Sequence, residues 1–240
     1  MNMVKSKTLK SAFIGATALA ASFSVSATPV TFFDTIAGGQ SQFSSTVTGA
    51  GATVNSVTLA GLTGGNSWDF GDFEISNTDG GYASISSAGV NTSTGQMIGI
   101  NPQNPAPQSG ITFTFDTAVN ALGFEVGDWG TCCTPSSLYI AFDGGSTNLV
   151  GTANSYSDNP TVAAGGGYGN DTIFVGAIDD ADTFTTVTFY GDGFGEFLTA
   201  GGTILWADVD IGSVSVPEPG SLALLGLGLA GLGFTRRRKA

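Results

Sequence analysis

Basic residues are confined to the two ends of this sequence. All seven lysines and arginines lie before Ser11 or after Thr235, so the stretch from Thr28 to Val214 contains no lysine, no arginine and no histidine. The same stretch holds eighteen of the nineteen acidic residues. It cannot form salt bridges between side chains, and its carboxylates repel one another. A compact fold here has to rest on buried apolar side chains and on hydrogen bonds.

This charge pattern excludes several functional classes. Nucleic-acid binding depends on lysines and arginines that neutralise phosphates, and a phosphate-binding loop needs a lysine that is missing after Gly165–Gly167. Catalysis by Ser-His-Asp or Cys-His groups lacks its histidine, as does a zinc site built on histidine. We therefore expect no catalytic residues and a protein that is not an enzyme.

The N-terminal residues have the three parts of a secretory signal peptide. Lysines precede Ser11, the run from Ala12 to Val25 is apolar and small, and small residues lead up to a cleavage point after Ala27. We therefore assign residues 1–27 to export and residues 28–214 to the exported domain.

The tail from residue 215 to residue 240 combines two prolines, a short apolar run and a basic cluster. Pro217 and Pro219 flank Glu218 and interrupt any helix or strand that arrives from the domain. The run from Leu222 to Phe234 carries no charge, and it is shorter than the about 20 residues of a usual membrane-spanning helix. A basic cluster favours a cytoplasmic end for this helix. Its arginines are Arg236, Arg237 and Arg238.

This three-part tail resembles the PEP-CTERM sorting signal, with Pro217, Glu218 and Pro219 as the motif itself. The resemblance implies processing by an exosortase, a membrane protease-transpeptidase of Gram-negative bacteria that make exopolysaccharide. It also implies transient anchoring in the inner membrane and delivery to the cell envelope, the outer surface or the extracellular matrix. An ordinary C-terminal membrane anchor is the alternative, and both interpretations export the domain.

Between the tails, the sequence shows the period-two alternation of half-buried strands. Ile111, Phe113 and Phe115 alternate with threonines, and a similar pattern returns over residues 122–126 and 138–142. We therefore predict three consecutive antiparallel strands that each bury one face. The further predicted strands are Val54–Leu59, Trp68–Ile75 with a bulge at Gly71, Tyr82–Ile85, Gln96–Ile100, Thr172–Ile178, Thr185–Tyr190 and Thr203–Ile211.

The predicted fold is all-β, a single jelly-roll-like β-sandwich, because no segment between the tails has a convincing period of 3.6 residues. The portion from residue 111 to residue 211 also loosely resembles exported domains that precede this sorting tail. The resemblance depends on the Thr/Phe strand, on Gly123-Phe124 and on the Asp-x-Asp at Asp208 and Asp210. It implies a lectin-like sandwich and no particular activity.

Clusters of acidic residues make calcium a possible ligand, since calcium takes six to eight oxygen ligands from carboxylates and carbonyls. No cluster has the spacing of an EF-hand loop, and the alternative is that these residues are solvated turn residues. The candidate clusters are Asp69, Asp72 and Glu74, then Asp179, Asp180 and Asp182, with a further pair at Asp208 and Asp210.

Cys132 and Cys133 are the only cysteines and are adjacent in the sequence. An oxidising compartment favours a disulfide, but neighbouring residues can bridge only through a strained ring. A vicinal disulfide in a turn, a pair of thiols and bridges to another chain all remain open.

A structural or adhesive matrix protein linked to exopolysaccharide is the leading functional hypothesis, because it requires no catalytic group. A calcium-dependent carbohydrate-binding module is the alternative. Period-two counting places Trp206, Asp208 and Asp210 on one face of the last strand, where an exposed indole beside carboxylates would bind sugar. The competing interpretation is that Trp206 packs in the core.

A glycoside hydrolase is a remote alternative. It requires only two carboxyl groups separated by about 5 to 9.5 Å. Glu74, Glu125 and Glu196 are the candidates.

Overall fold

A computed structural model describes residues 29–100, 110–192 and 197–214. The predicted signal peptide, the sorting tail with Pro217 to Arg238, and Glu196 lie outside these residues. Two α-helices, Ile36–Gly49 (α1) and Pro160–Ala163 (α2), and two short 3-10 helices accompany the strands of the described residues. The strands are Val30–Thr35 (β1), Asn55–Thr58 (β2), Ser67–Asp69 (β3), Phe73–Asn77 (β4), Ile85–Ser86 (β5), Met97–Gly99 (β6), Gly110–Val119 (β7), Ala121–Gly127 (β8), Ser136–Phe142 (β9), Thr147–Ala153 (β10), Ile173–Ile178 (β11), Phe184–Tyr190 (β12) and Thr199–Ala207 (β13).

These strands form two antiparallel sheets. The seven-stranded sheet has the order β1-β11-β8-β13-β6-β5, with β2 also paired to β13, and the six-stranded sheet has the order β10-β9-β12-β7-β4-β3. The predicted β-sandwich is therefore confirmed at the level of a mostly β fold with two antiparallel sheets, whereas its jelly-roll character stays a prediction.

The main hydrophobic core lies between the two sheets. Ile111, Phe113 and Phe115 of β7 are at most 4% exposed, as their alternation with threonines predicted. Across the core, the ring of Phe113 lies 5.0 Å from that of Phe124 on β8, centroid to centroid. Burial of aromatic side chains of this size supplies most of the driving force for such a fold.

Strand β8 departs from the sequence prediction in two respects. It pairs with β11 and β13 in the seven-stranded sheet, whereas β7 and β9 belong to the six-stranded sheet. In addition, all its residues from Ala121 to Gly127 are buried, so both of its faces are covered. The prediction of three consecutive strands with one buried face each is therefore wrong for β8.

Helix α1 covers the outer face of the seven-stranded sheet and was not predicted. It begins after Thr35, whose hydroxyl accepts the Gly38 N–H at 3.2 Å. Phe43 and Val47 are fully buried on its inner side, where the Phe43 ring lies 5.9 Å from that of Phe174 on β11. The helix is rich in Gly, Ser and Thr, which are poor helix formers, so this packing stabilises it.

The segment predicted as one bulged strand, Trp68–Ile75, is a hairpin. Strands β3 and β4 pair directly, and the N–H of Phe70 donates to the carbonyl of Phe73 at 2.9 Å across the turn. Gly71 occupies the turn with a φ of +87°, a conformation that favours glycine.

No helix within the described residues is long and apolar enough to cross a membrane.

Candidate functional site

One end of the sandwich carries a cleft that we call the acidic cleft. Its volume is about 240 Å³. The cleft forms where the end of β7, the turn before β4 and the end of β13 meet. It is lined by Asn55, Asp72, Phe115, Asp116, Thr117, Ala118, Val119, Trp206 and Asp208.

Backbone pairing brings these distant residues together. Asn55 is the register partner of Trp206 in the β2–β13 pair. The N–H of Asp116 donates to the carbonyl of Asp72 at 3.0 Å, which joins the end of β7 to the turn before β4. Asp208 follows the last residue of β13. The polar groups of the cleft therefore lie on or next to four strands that form two pairs, β2 with β13 and β4 with β7.

Trp206 does not form the exposed platform that the strand pattern suggested. It is only 8% exposed, and its ring packs edge-on against Phe73 of β4 with centroids 5.1 Å apart. Because the indole belongs to the inter-sheet core, only a small part of its ring system lines the cleft. Asp208 lines the cleft beside it, and the exposed Asp210 is not among the lining residues.

The acidic cleft has an apolar floor and a polar rim. Phe115, Val119 and Trp206 are at most 8% exposed, whereas the rim residues Asp72, Asp116, Asp208 and Asn55 are exposed. Carboxylates accept hydrogen bonds strongly and donate none when ionised. The rim is therefore suited to a ligand that presents several hydroxyl groups.

The structure does not assemble the predicted calcium clusters. Within residues 29–100, 110–192 and 197–214, no three acidic or cysteine side chains come close enough to hold a metal ion. In the first cluster, Asp69 accepts the N–H of Gly71 at 2.8 Å, Asp72 lines the acidic cleft, and Glu74 pairs with Asp69 across the hairpin.

The second predicted cluster is likewise divided. Asp179 and Asp182 line a separate cleft of about 410 Å³. Each also accepts a nearby backbone N–H, from Ala181 at 3.0 Å and from Thr183 at 2.8 Å. Asp180 instead accepts the N–H of Val214 at 3.1 Å. These carboxylates stabilise turns rather than facing a common centre.

A second concave site, which we call the aromatic groove, lies beside β6. It has a volume of about 170 Å³ and is lined by Tyr82, Ala83, Ser84, Gly99, Ile100 and Phe197. Tyr82 is 71% exposed and Phe197 is 48% exposed, so both rings present much of their surface to solvent at this groove. The sequence offered no signal for this groove, because Tyr82 and Phe197 are isolated aromatic residues more than a hundred positions apart.

Glu125 is fully buried on the outer face of the seven-stranded sheet. Its carboxylate accepts the N–H of Thr94 at 2.8 Å and the N–H of Thr203 at 3.1 Å, as well as the Thr94 hydroxyl. Burial raises the pKa of Glu125, although these hydrogen bonds oppose the shift. The carboxylate thus fastens the segment around Thr94 across the sheet.

The predicted hydrolytic pair is not formed by Glu74 and Glu125. Glu74 is exposed on β4 of the six-stranded sheet, and Glu125 is buried in β8 of the other sheet. The two carboxylates therefore point away from opposite sides of the sandwich, whereas a glycosidase requires them on either side of one bond.

The loop after β8 contains both cysteines and Asp128, which lies beside Asp171 from the segment before β11. The N–H of Asp128 donates to Asp171 at 3.2 Å. Burial raises the pKa of both carboxyl groups, and the charge of Asp128 further raises the pKa of Asp171. Cys132 and Cys133 are exposed, with their sulfur atoms 2.6 Å apart. A vicinal disulfide at these residues stays a prediction.

Comparison with known proteins identifies one motif. A family model described as the PEP-CTERM protein-sorting motif matches residues 215–239. No curated protein matches the chain significantly in sequence.

Solved structures offer distant likenesses. A mutant of the family 29 carbohydrate-binding module CBM29-2 is 12% identical, with a TM-score of 0.37 over 70% of this chain and 99% of the module. Another family 29 module is 12% identical, with a TM-score of 0.36 over 69% of this chain and 95% of the module. The exo-β-1,3-galactanase of Phanerochaete chrysosporium with galactose is 17% identical, with a TM-score of 0.25 over 65% of this chain and 29% of the galactanase. Likenesses at these scores carry no information about a ligand.

Proposed function

We propose that the β-sandwich binds glycan at the cell surface, to which an exosortase sorts the exported chain through the PEP-CTERM motif of residues 215–239. The role is structural and adhesive, linked to the exopolysaccharide of the producing cell, and involves no catalysis. The calcium-dependent form of this function, in which a cation bridges protein and sugar, is the alternative.

The acidic cleft is the observation that carries this proposal. Its exposed carboxylates accept hydrogen bonds from sugar hydroxyl groups, and hydrogen bonds to charged groups contribute about 1.5–3 kcal/mol each. Its floor of Phe115, Val119 and the margin of Trp206 offers apolar contact to the C–H groups of a sugar ring. A few placed polar groups around an apolar floor are the usual design of a small-ligand site.

The charge of the domain restricts the glycan to one that is not acidic. No lysine, arginine or histidine lies between Thr28 and Val214 to pair with a uronate or a sulfate. Like charges at the rim of the cleft would repel such groups, and they would do so most strongly at low salt. We therefore propose a neutral glycan.

We expect this binding to persist without calcium, because no group of three carboxylates assembles within the described residues. Retention on a neutral exopolysaccharide column should be the same in millimolar calcium and in excess chelator at matched ionic strength. Loss of retention in chelator would favour the calcium-dependent alternative.

Asp208 and Asp210 provide a matched pair of variants for the test. Both are exposed and close in sequence, but only Asp208 lines the acidic cleft. In affinity electrophoresis of the purified mature protein, Asp208→Ala should weaken binding to neutral exopolysaccharide at least tenfold, which corresponds to about 1.4 kcal/mol. Asp210→Ala should bind like the wild type, and both variants should melt like it. Equal binding by all three proteins would contradict a role for the cleft.

A further inference from the structure

We infer that the aromatic groove is a second glycan subsite, which makes the domain a bivalent cross-linker of polysaccharide chains. This inference rests on the proposed glycan-binding function and adds a second contact, at a different end of the sandwich, to the acidic cleft.

Each ring of the groove lies close to a glycine. The Tyr82 hydroxyl lies so close to Gly64 that a Cβ there would be 1.9 Å away, so a larger residue would displace the ring. On the floor, a Cβ at Gly99 would lie 3.0 Å from the Ser84 hydroxyl and 3.6 Å from the tip of the Phe197 ring. Gly64 therefore leaves room for the Tyr82 ring, and Gly99 leaves the floor of the groove free of a side chain.

The chemistry of the groove suits one sugar ring. Aromatic faces are electron-rich, and the C–H groups on the face of a pyranose ring carry a small positive charge. Ser84 is exposed at the same place and supplies a hydroxyl that both donates and accepts hydrogen bonds. The volume of about 170 Å³ is below the range of about 300–1,000 Å³ typical of larger ligands, which matches a single residue of a glycan chain.

The groove and the acidic cleft stand at opposite ends of strand β13. Near the groove, β13 starts at Thr199, which pairs with Gly99. Near the cleft, β13 reaches Trp206, which pairs with Asn55. At about 3.3 Å per residue, these ends are roughly 20 Å apart. One or two sugar residues therefore cannot reach both sites, whereas the domain can hold together two separate chains or two parts of one long chain.

Bivalency has a measurable consequence. Two sites on one body raise the apparent affinity for a long polymer by about 10²-fold or more over either site alone, and they allow a soluble polysaccharide to be cross-linked. Short oligosaccharides should instead bind independently at each site, with a stoichiometry of two per protein.

The experiment is calorimetric titration of the purified mature protein with neutral trisaccharides of glucose, mannose and galactose, which are too short to reach both sites at once. It is paired with turbidity of the corresponding polysaccharides. The variants are Tyr82→Ala with Phe197→Ala for the groove, and Asp116→Ala with Asp208→Ala for the cleft. Tyr168→Ala is the control, because Tyr168 is an exposed tyrosine, at 79%, that lines neither site. Melting curves verify that each variant is folded.

The inference expects a stoichiometry of two for the wild type and the control, and of one for each double variant. Turbidity should be lost in both double variants. A wild-type stoichiometry of one that only the cleft variant abolishes would overturn the second subsite and leave the proposed function intact. A single site that only the groove variant abolishes would overturn the cleft and bivalency together. No binding to any member of the panel would overturn both proposals.

Discussion

The two sheets of this sandwich differ in what covers their outer faces. On the seven-stranded sheet, β8 and β11 are buried along their whole length, because helix α1 packs against β11 and part of β8 and the segment around Thr94 covers Glu125. On the six-stranded sheet, β7 alternates buried phenylalanines with the more exposed Thr112 and Thr114, and no helix lies over it among the described residues. The seven-stranded sheet therefore supports a second hydrophobic core on its outer face, whereas the six-stranded sheet presents a surface of hydroxyl groups.

On the covered face of the seven-stranded sheet, glycines leave space for a large side chain. A Cβ at Gly123 of β8 would lie 2.3 Å from the Phe174 ring, and a Cβ at Gly39 of α1 would lie 2.5 Å from the same ring. Phe174 therefore fills the space between sheet and helix that the glycines leave. The resulting second core also includes Phe32, Phe43 and Val47.

The largest effect should come from emptying that second core. Phe43→Ala removes a fully buried ring that contacts Phe32 at 5.5 Å and Phe174 at 5.9 Å between centroids. We expect a loss of about 3–5 kcal/mol in the free energy of unfolding, measured by denaturant titration.

A control on the open face separates this effect from a general weakening of the sandwich. Thr114→Ala changes an exposed residue of β7, and we expect it to stay within about 0.5 kcal/mol of the wild type. Similar losses in both variants would mean that the covered face does not contribute more to stability than the open face.

Two glycines of helix α1 test the same packing through smaller expected changes in stability. Gly39→Ala places a methyl group against Phe174 at 2.5 Å, and we expect overpacking to cost about 1–3 kcal/mol. At Gly49, nothing lies within 4 Å of an added Cβ. Gly49→Ala should therefore stabilise the protein by about 0.4–1 kcal/mol, because the unfolded chain loses freedom. Thermal melts of both variants test the opposite signs, and destabilisation by Gly49→Ala would contradict the role given to packing.

The burial of Glu125 on the covered face should make stability depend on pH, with an effect smaller than those of the core and glycine variants. Burial raises its pKa above the ordinary 4.5, so the folded state binds the proton more tightly than the unfolded state does. The resulting contribution to stability is fully present below the unfolded pKa and is lost as the pH rises through the folded pKa. We therefore expect Glu125→Gln to flatten the decline in melting temperature from mildly acidic to neutral pH.

A matched charge removal on the other sheet is the control for Glu125. Glu74→Gln deletes one carboxylate from an exposed position of β4. If both variants alter the pH profile equally, the effect belongs to net charge and not to burial at Glu125.

The same contrast explains what the sequence could predict. The alternation at Ile111, Phe113 and Phe115 identified β7, because an open outer face leaves a clean period of two. The prediction for strand β8 was wrong, because Gly123 and Glu125 look like a solvent-facing side, whereas the Phe174 ring covers Gly123 and the segment around Thr94 covers Glu125. The helix itself escaped prediction, since Gly, Ser and Thr favour other conformations in isolation and tertiary contacts decide the outcome.

Part of the acidic cleft was predictable from the alternation of residues along β13. Period-two counting placed Trp206 and Asp208 near each other, and both line the cleft. Asn55, Asp72 and Asp116 join them through strand pairing between distant parts of the chain, which local patterns do not contain. The pattern also could not tell which side of β13 meets the other sheet, and therefore could not decide that Trp206 is buried.

The smallest effect we predict concerns the hydroxyl groups of the open face. Thr112 and Thr188 are directly paired across β7 and β12, and their hydroxyl oxygens lie 3.2 Å apart. Cross-strand pairs of this kind contribute about 0.2–1 kcal/mol, and a double-mutant cycle with Thr112→Val and Thr188→Val isolates the coupling between them. Valine keeps the β-branched shape, so each single variant loses only the hydroxyl. A coupling energy within that range would show that the open face is ordered by its own hydrogen bonds, whereas no coupling would mean that these hydroxyl groups act independently and are each available to a ligand.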